Sequence, residues 1–123
     1  KDANLKVKEL SYKLQKKDIE VAKQYLKTGL ALNSYKNSIA SFENFISDHP
    51  GSILREDAYF GRFQAQYELA LQSVPKKVEE RLRKAIEFYN DFMKYYANSD
   101  LAEKAIEIKK DIDKKIETTI ISS

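Results

Sequence analysis

One pattern occurs twice in this chain, 47 positions apart. Ile39-x5-Phe45-x6-Ser52-x-Leu54-x-Glu56-x-Ala58 returns as Ile86-x5-Phe92-x6-Ser99-x-Leu101-x-Glu103-x-Ala105. Each copy reads as a helix with an aromatic stripe, a break, a serine cap and a second amphipathic helix. A chain that repeats such a unit is expected to stack helical hairpins, because one hairpin cannot bury its apolar face alone. Arrays of this kind work by presenting a shaped surface made of ordinary residues. Catalysis asks instead for a convergent cluster of reactive groups, so the repeat points to a scaffold.

Composition narrows the fold further. With 123 residues, 42% of them hydrophobic, there is material for one core and not for two independent ones. Three glycines and two prolines leave little turn chemistry for a β fold, which predicts an all-α domain over residues 1–123. The chain has no cysteine, which excludes disulfides, thiolate metal sites and a cysteine nucleophile from these residues. Lys1 stands where an initiator methionine would be, so the chain is expected to belong to a longer product whose export signal or lipid-bearing cysteine lies upstream.

Five helices are expected. The first runs from about Asn4 to Thr28, with Leu10, Leu14, Val21 or Ala22, and Tyr25 in helical register and Gly29 as a C-cap. A second over Ser34–Asp48 carries Tyr35, Ile39, Phe42, Phe45 and Ile46 and is stopped by Pro50-Gly51. The third starts at a Ser52 cap, has Glu56 and Asp57 in its opening turns and continues to about Gln72. The fourth follows Pro75 to about Tyr96 and buries Val78, Leu82, Ala85, Tyr89, Phe92 and Met93. The fifth opens at Ser99-Asp100, with Leu101, Ala105, Ile108, Ile112 and Ile116 on one side and Lys104, Asp111, Lys114 and Lys115 on a solvated side.

Chemistry-bearing motifs are scarce. The single histidine, His49, precedes a proline in a turn and has no metal-ligand spacing around it, so a stacking or surface role is expected. No GxGxxG or GxxxxGK run offers a phosphate cradle. No catalytic, metal or cofactor site is assigned. Nucleic-acid binding is the other rival, from Lys13, Lys16 and Lys17 and from Lys109, Lys110, Lys114 and Lys115. Asp18, Glu20, Asp111, Asp113 and Glu117 dilute both clusters, and the net charge is only +3. In the fourth helix, Arg81, Phe88 and Tyr95 share a flank separate from the main stripe, and they are the candidate partner-binding residues. Phe60 carries the same choice between packing and recognition.

The first copy also fits the second helix of a tetratricopeptide (TPR) hairpin, with Ser38, Phe42 and Phe45 at 12, 8 and 5 positions before Pro50. The second copy has Ala85, Tyr89 and Phe92, then Ala97 in place of proline. A more specific resemblance joins the run from Lys13 to Gly29 with Ser38 to Ser52, Arg55-Glu56-Asp57-Ala58, Tyr67 to Ser73, Glu80-Arg81 and Ala85 to Phe92. In order and spacing these segments resemble the later repeats of BamD-type outer-membrane assembly lipoproteins over about residues 9–117. Two differences stand out: about four extra residues near Leu30–Asn33, and His49 where the family has tyrosine or phenylalanine.

The resemblance implies a non-enzymatic TPR-like subunit of the machinery that assembles β-barrel proteins, held at the periplasmic face of the outer membrane by an N-terminal lipid. It implies docking, by the C-terminal half, onto the periplasmic domains of the barrel-forming subunit and onto accessory lipoproteins, without nucleic acid or cofactor. The alternative is a TPR adaptor in another envelope or cytosolic complex.

Overall fold

The computed structural model describes residues 2–27 and 32–122. Five helices follow in order: α1 Asp2–Lys27, α2 Leu32–Asp48, α3 Arg55–Leu71, α4 Pro75–Tyr96 and α5 Ala102–Ser122. The domain is all-α and built like a helical repeat, and no strand occurs among the described residues. Each helix packs on the next, and α1 and α5 also reach α3, which makes α3 the centre of the stack.

The repeat extends to single hydrogen bonds in the turns. In the first copy Ser52 N–H donates to the His49 carbonyl at 3.1 Å, Leu54 N–H to Ser52 Oγ at 3.0 Å, and Ala58 N–H to the Leu54 carbonyl at 3.1 Å. In the second, Ser99 donates to Tyr96 at 3.0 Å, Leu101 to Ser99 Oγ at 2.9 Å and Ala105 to Leu101 at 3.0 Å. The serines therefore close the turn ahead of the helix. They do not cap α3 and α5 directly, which begin three residues after the serines, at Arg55 and Ala102, once an extra turn has re-aimed the chain. At α4 the entry is simpler, because Pro75 sits at the first helical position, where its missing N–H costs nothing.

Aromatic rings fill the interior. Ile19, Ala22, Phe42, Phe45 and Ala58 make a small cluster joining α1, α2 and α3. A larger one joins α3, α4 and α5 through Tyr59, Phe63, Leu82, Phe88, Phe92 and Ile112. Gly61 lets α2 lie close against α3, since a Cβ there would stand 2.3 Å from Phe42 Cζ. Two buried polar side chains tie helices together and are satisfied in doing so. Ser38 Oγ donates to the Ala22 carbonyl at 2.8 Å, and Gln66 Nε2 to the Arg81 carbonyl at 3.1 Å.

Of the apolar stripe expected on α1, only the Ala22 alternative is packed. Leu10, Leu14, Val21 and Tyr25 are exposed, while Ile19 and Ala22 are buried against α2. The helix carries two apolar faces roughly a third of a turn apart, and α2 covers only one. Gly29 and the first part of the extra segment near Leu30 lie outside the described residues. Asp111 also departs from its solvated assignment: it is half-buried and accepts a hydrogen bond from the Tyr67 hydroxyl, pinning α3 to α5. Burial, together with this bond to a carboxylate, pushes the Tyr67 phenol well above its ordinary range. His49 stacks on Phe45 with ring centroids 4.7 Å apart, as its place in the turn suggested.

Candidate docking site

Arg81, Phe88 and Tyr95 step by seven along α4 and all lie on its seam with α3, but each meets a different environment. Arg81 is half-buried, and its Nη1 donates to Ser73 Oγ at 2.6 Å. Ser73 Oγ in turn donates to the Leu69 carbonyl at 2.6 Å, so the guanidinium fastens the turn between α3 and α4. Phe88 is only 5% exposed and belongs to the large core cluster. The Arg62 guanidinium covers its ring at 4.1 Å and pairs with Asp91 at 3.0 Å. Tyr95 is 59% exposed and offers its ring to solvent.

The residues around Tyr95 make up the accessible part of the seam. Its ring lies 5.7 Å from that of Tyr59 and 6.3 Å from that of Tyr96. Tyr59 is itself held between Arg55 and Arg62, whose Cζ atoms stand 5.5 and 5.2 Å from its ring centroid. Arg55 donates to the Pro50 carbonyl at 3.0 Å and to the Tyr59 hydroxyl at 3.3 Å, so the stack is anchored to the first inter-helix turn. Ser99 donates to Glu56, which joins the two repeated turns beside it. Burial raises the Tyr96 phenol despite the opposing charge of Arg55, so that side chain keeps its hydroxyl proton at physiological pH. Alternating cations and π-faces, with a fixed aromatic step open to solvent, suit recognition of another protein's aromatic or carboxylate groups.

A second concavity lies elsewhere on α3, and the sequence reading did not find it. Phe60, Gly61, Gln64 and Glu68 form its floor, Lys23, Leu26 and Lys27 of α1 form one wall, and Leu101 at the entry to α5 forms another. Its volume is about 480 Å³. Lys23 Nζ meets Asp57 Oδ2 at 3.4 Å across it. Burial raises the Glu68 carboxyl above its ordinary value, and Tyr35 is raised by burial with the charge of Glu68 as a second cause. The available signal was that one face of α3 mixes Asp57, Phe60, Gln64 and Glu68 at helical spacing. A purely core-facing or purely solvated face would not mix apolar and charged positions in this way.

Among the described residues no group of three or more His, Asp and Glu side chains could hold a metal ion, and no helix is long and apolar enough to cross a membrane. No protein-family profile and no curated protein sequence matches the chain.

Proposed function

We propose that the chain is a non-catalytic docking scaffold of outer-membrane β-barrel assembly. In this reading it is the C-terminal, TPR-like part of a longer lipid-anchored protein at the periplasmic face, and its partners are the periplasmic domains of the barrel-forming subunit and accessory lipoproteins. The observation that carries the scaffold role is the exposed Tyr95 step on a fixed Arg–Tyr stack, held between two hairpins whose turns repeat bond for bond. The sequence resemblance over about residues 9–117 supports the particular machinery.

Capture of the purified periplasmic domains of the barrel-forming subunit on the immobilised chain tests both levels. Tyr95→Ala is expected to weaken capture by about tenfold, or about 1.4 kcal/mol, with the melting temperature nearly unchanged because the ring is mostly in solvent. Capture by the unaltered chain that ignores Tyr95 would place the interface off the seam. No capture at all would remove the assembly role.

A further inference from the structure

We propose that α1 pairs antiparallel with the α1 of a second copy of this chain, through the exposed stripe of Leu10, Leu14, Val21 and Tyr25. This contact lies apart from the Tyr95 seam and does not depend on the assembly role.

The stripe carries the symmetry that such a contact needs. Its four residues are 60, 56, 46 and 38% exposed, and at about 100° per residue they fall within about 60° of the circumference of α1. Their spacings are four, seven and four residues, the same when read from either end. A two-fold axis passing between Lys17 and Asp18 therefore sets Leu10 against the second copy's Tyr25, and Leu14 against the second copy's Val21. A contact between like chains requires a patch that complements itself, whereas an unrelated partner needs no such reversal. Helix α2 covers the face of Ile19 and Ala22, roughly a third of a turn away, and leaves the stripe open to a second helix.

Charge fits the same axis. Lys13, Lys17 and Glu20 line one flank of the stripe, stand exposed and form no ion pair with any described residue. Reversal about the axis brings each Glu20 level with the midpoint between Lys13 and Lys17 of the other copy, about 3 Å along the helix from either. The same two carboxylates offset the repulsion between the two Lys17 ammonium groups that meet near the axis. Asp18, on the opposite flank, already faces His49 at 3.8 Å within its own chain. Antiparallel packing also sets the two helix dipoles head to tail. Because the contact is confined to one helix, it sits at the low end of specific interfaces, and a dissociation constant of about 10 μM is expected.

Sedimentation equilibrium of the chain between about 1 and 200 μM tests the contact, and should show a monomer–dimer transition. Leu14→Glu should abolish the dimer and Glu20→Lys should weaken it at least about tenfold, both with an unchanged circular dichroism spectrum because these side chains lie in solvent. Combining Glu20→Lys with Lys13→Glu and Lys17→Glu should restore association. The chain has no cysteine of its own, so an oxidised mixture of Leu14→Cys and Val21→Cys chains reports the orientation. Mass spectrometry should find the bridge between position 14 of one chain and position 21 of the other. Tyr95→Ala should leave the dimer as it was, which separates it from the seam. A chain that stays monomeric throughout, leaving the stripe to a segment of different sequence, would overturn the proposal. So would a dimer indifferent to Leu14→Glu or Glu20→Lys, or bridges that join 14 to 14 and 21 to 21.

Discussion

Helices α3 and α5 occupy equivalent places in the repeat, yet one is buried from two sides and the other from one. Their shared face agrees residue by residue at the 47-position offset. Ala58 matches Ala105, Ala65 matches Ile112 and Leu69 matches Ile116, and all six are buried. The opposite face diverges: Tyr59, Phe63 and Ala70 are buried in α3, where α5 has Ile106, Lys110 and Glu117, all exposed. The first face docks a helix onto its predecessor. The second receives α4 in α3, whereas in α5 it is exposed and carries charge at Lys110 and Glu117. At the other end α1 shows the reverse, with its Leu10, Leu14, Val21 and Tyr25 stripe uncovered and apolar.

The largest expected effect separates the two faces directly. Phe63→Ala should lower stability by about 3 to 5 kcal/mol, the usual loss for a buried phenylalanine, whereas Lys110→Ala at the equivalent place should change it by less than about 0.5 kcal/mol. Urea unfolding followed by circular dichroism measures both. Phe45→Ala and Phe92→Ala, on the shared aromatic stripe, should each fall in the range of Phe63→Ala. A Lys110 variant as damaged as the Phe63 variant would mean that α5 is covered on its outer side.

Next in size is the close approach that distinguishes α3 from α5 on their shared face. Gly61 corresponds to Ile108, and only at Gly61 does a ring from the preceding helix occupy the space of a side chain. In Gly61→Ala the new Cβ would stand 2.3 to 2.7 Å from three atoms of the buried Phe42 ring, so α2 and α3 must separate. The cost of overpacking is about 1 to 3 kcal/mol, set against up to about 1 kcal/mol gained from alanine's better helix propensity. A lowered melting temperature checks the balance, and a raised one would show that the Phe42 ring has room to move.

How much of this was legible beforehand follows from which forces are local. The turns at Ser52 and Ser99 and the boundaries of α4 were readable, because serine, proline and helical periodicity act within a few residues. Phe42, Phe45, Leu82, Phe92 and Ile112 were readable as core, because they lie on the one stripe that consecutive helices must share. The buried side of α1 was not, since Ile19 and Leu14 are equally apolar and only the position of α2 separates them. Phe88 was ambiguous for a related reason. Its burial comes from Arg62 on another helix, 26 residues earlier, and no local pattern announces that pairing. The groove is a property of three helices brought together, so its residues carry no contiguous signature.

The smallest effect concerns Glu68, whose counterpart in α5 is Lys115. Lys115 rests 3.7 Å from Asp111 with a compensating charge, whereas Glu68 is half-buried without one. Burial raises the Glu68 carboxyl in the folded chain above its unfolded value. Between those two values the folded chain holds more protons than the unfolded chain, so stability falls as pH rises through that interval and then stays reduced. Glu68→Gln removes the ionisation. Relative to the unaltered chain it should therefore be more stabilising at pH 7 than at pH 4, measured by urea unfolding at both values. A Gln variant with the same relative stability at both pH values would mean that Glu68 is well solvated when ionised. The contrast between the paired charge on α5 and the bare one on α3 would then disappear.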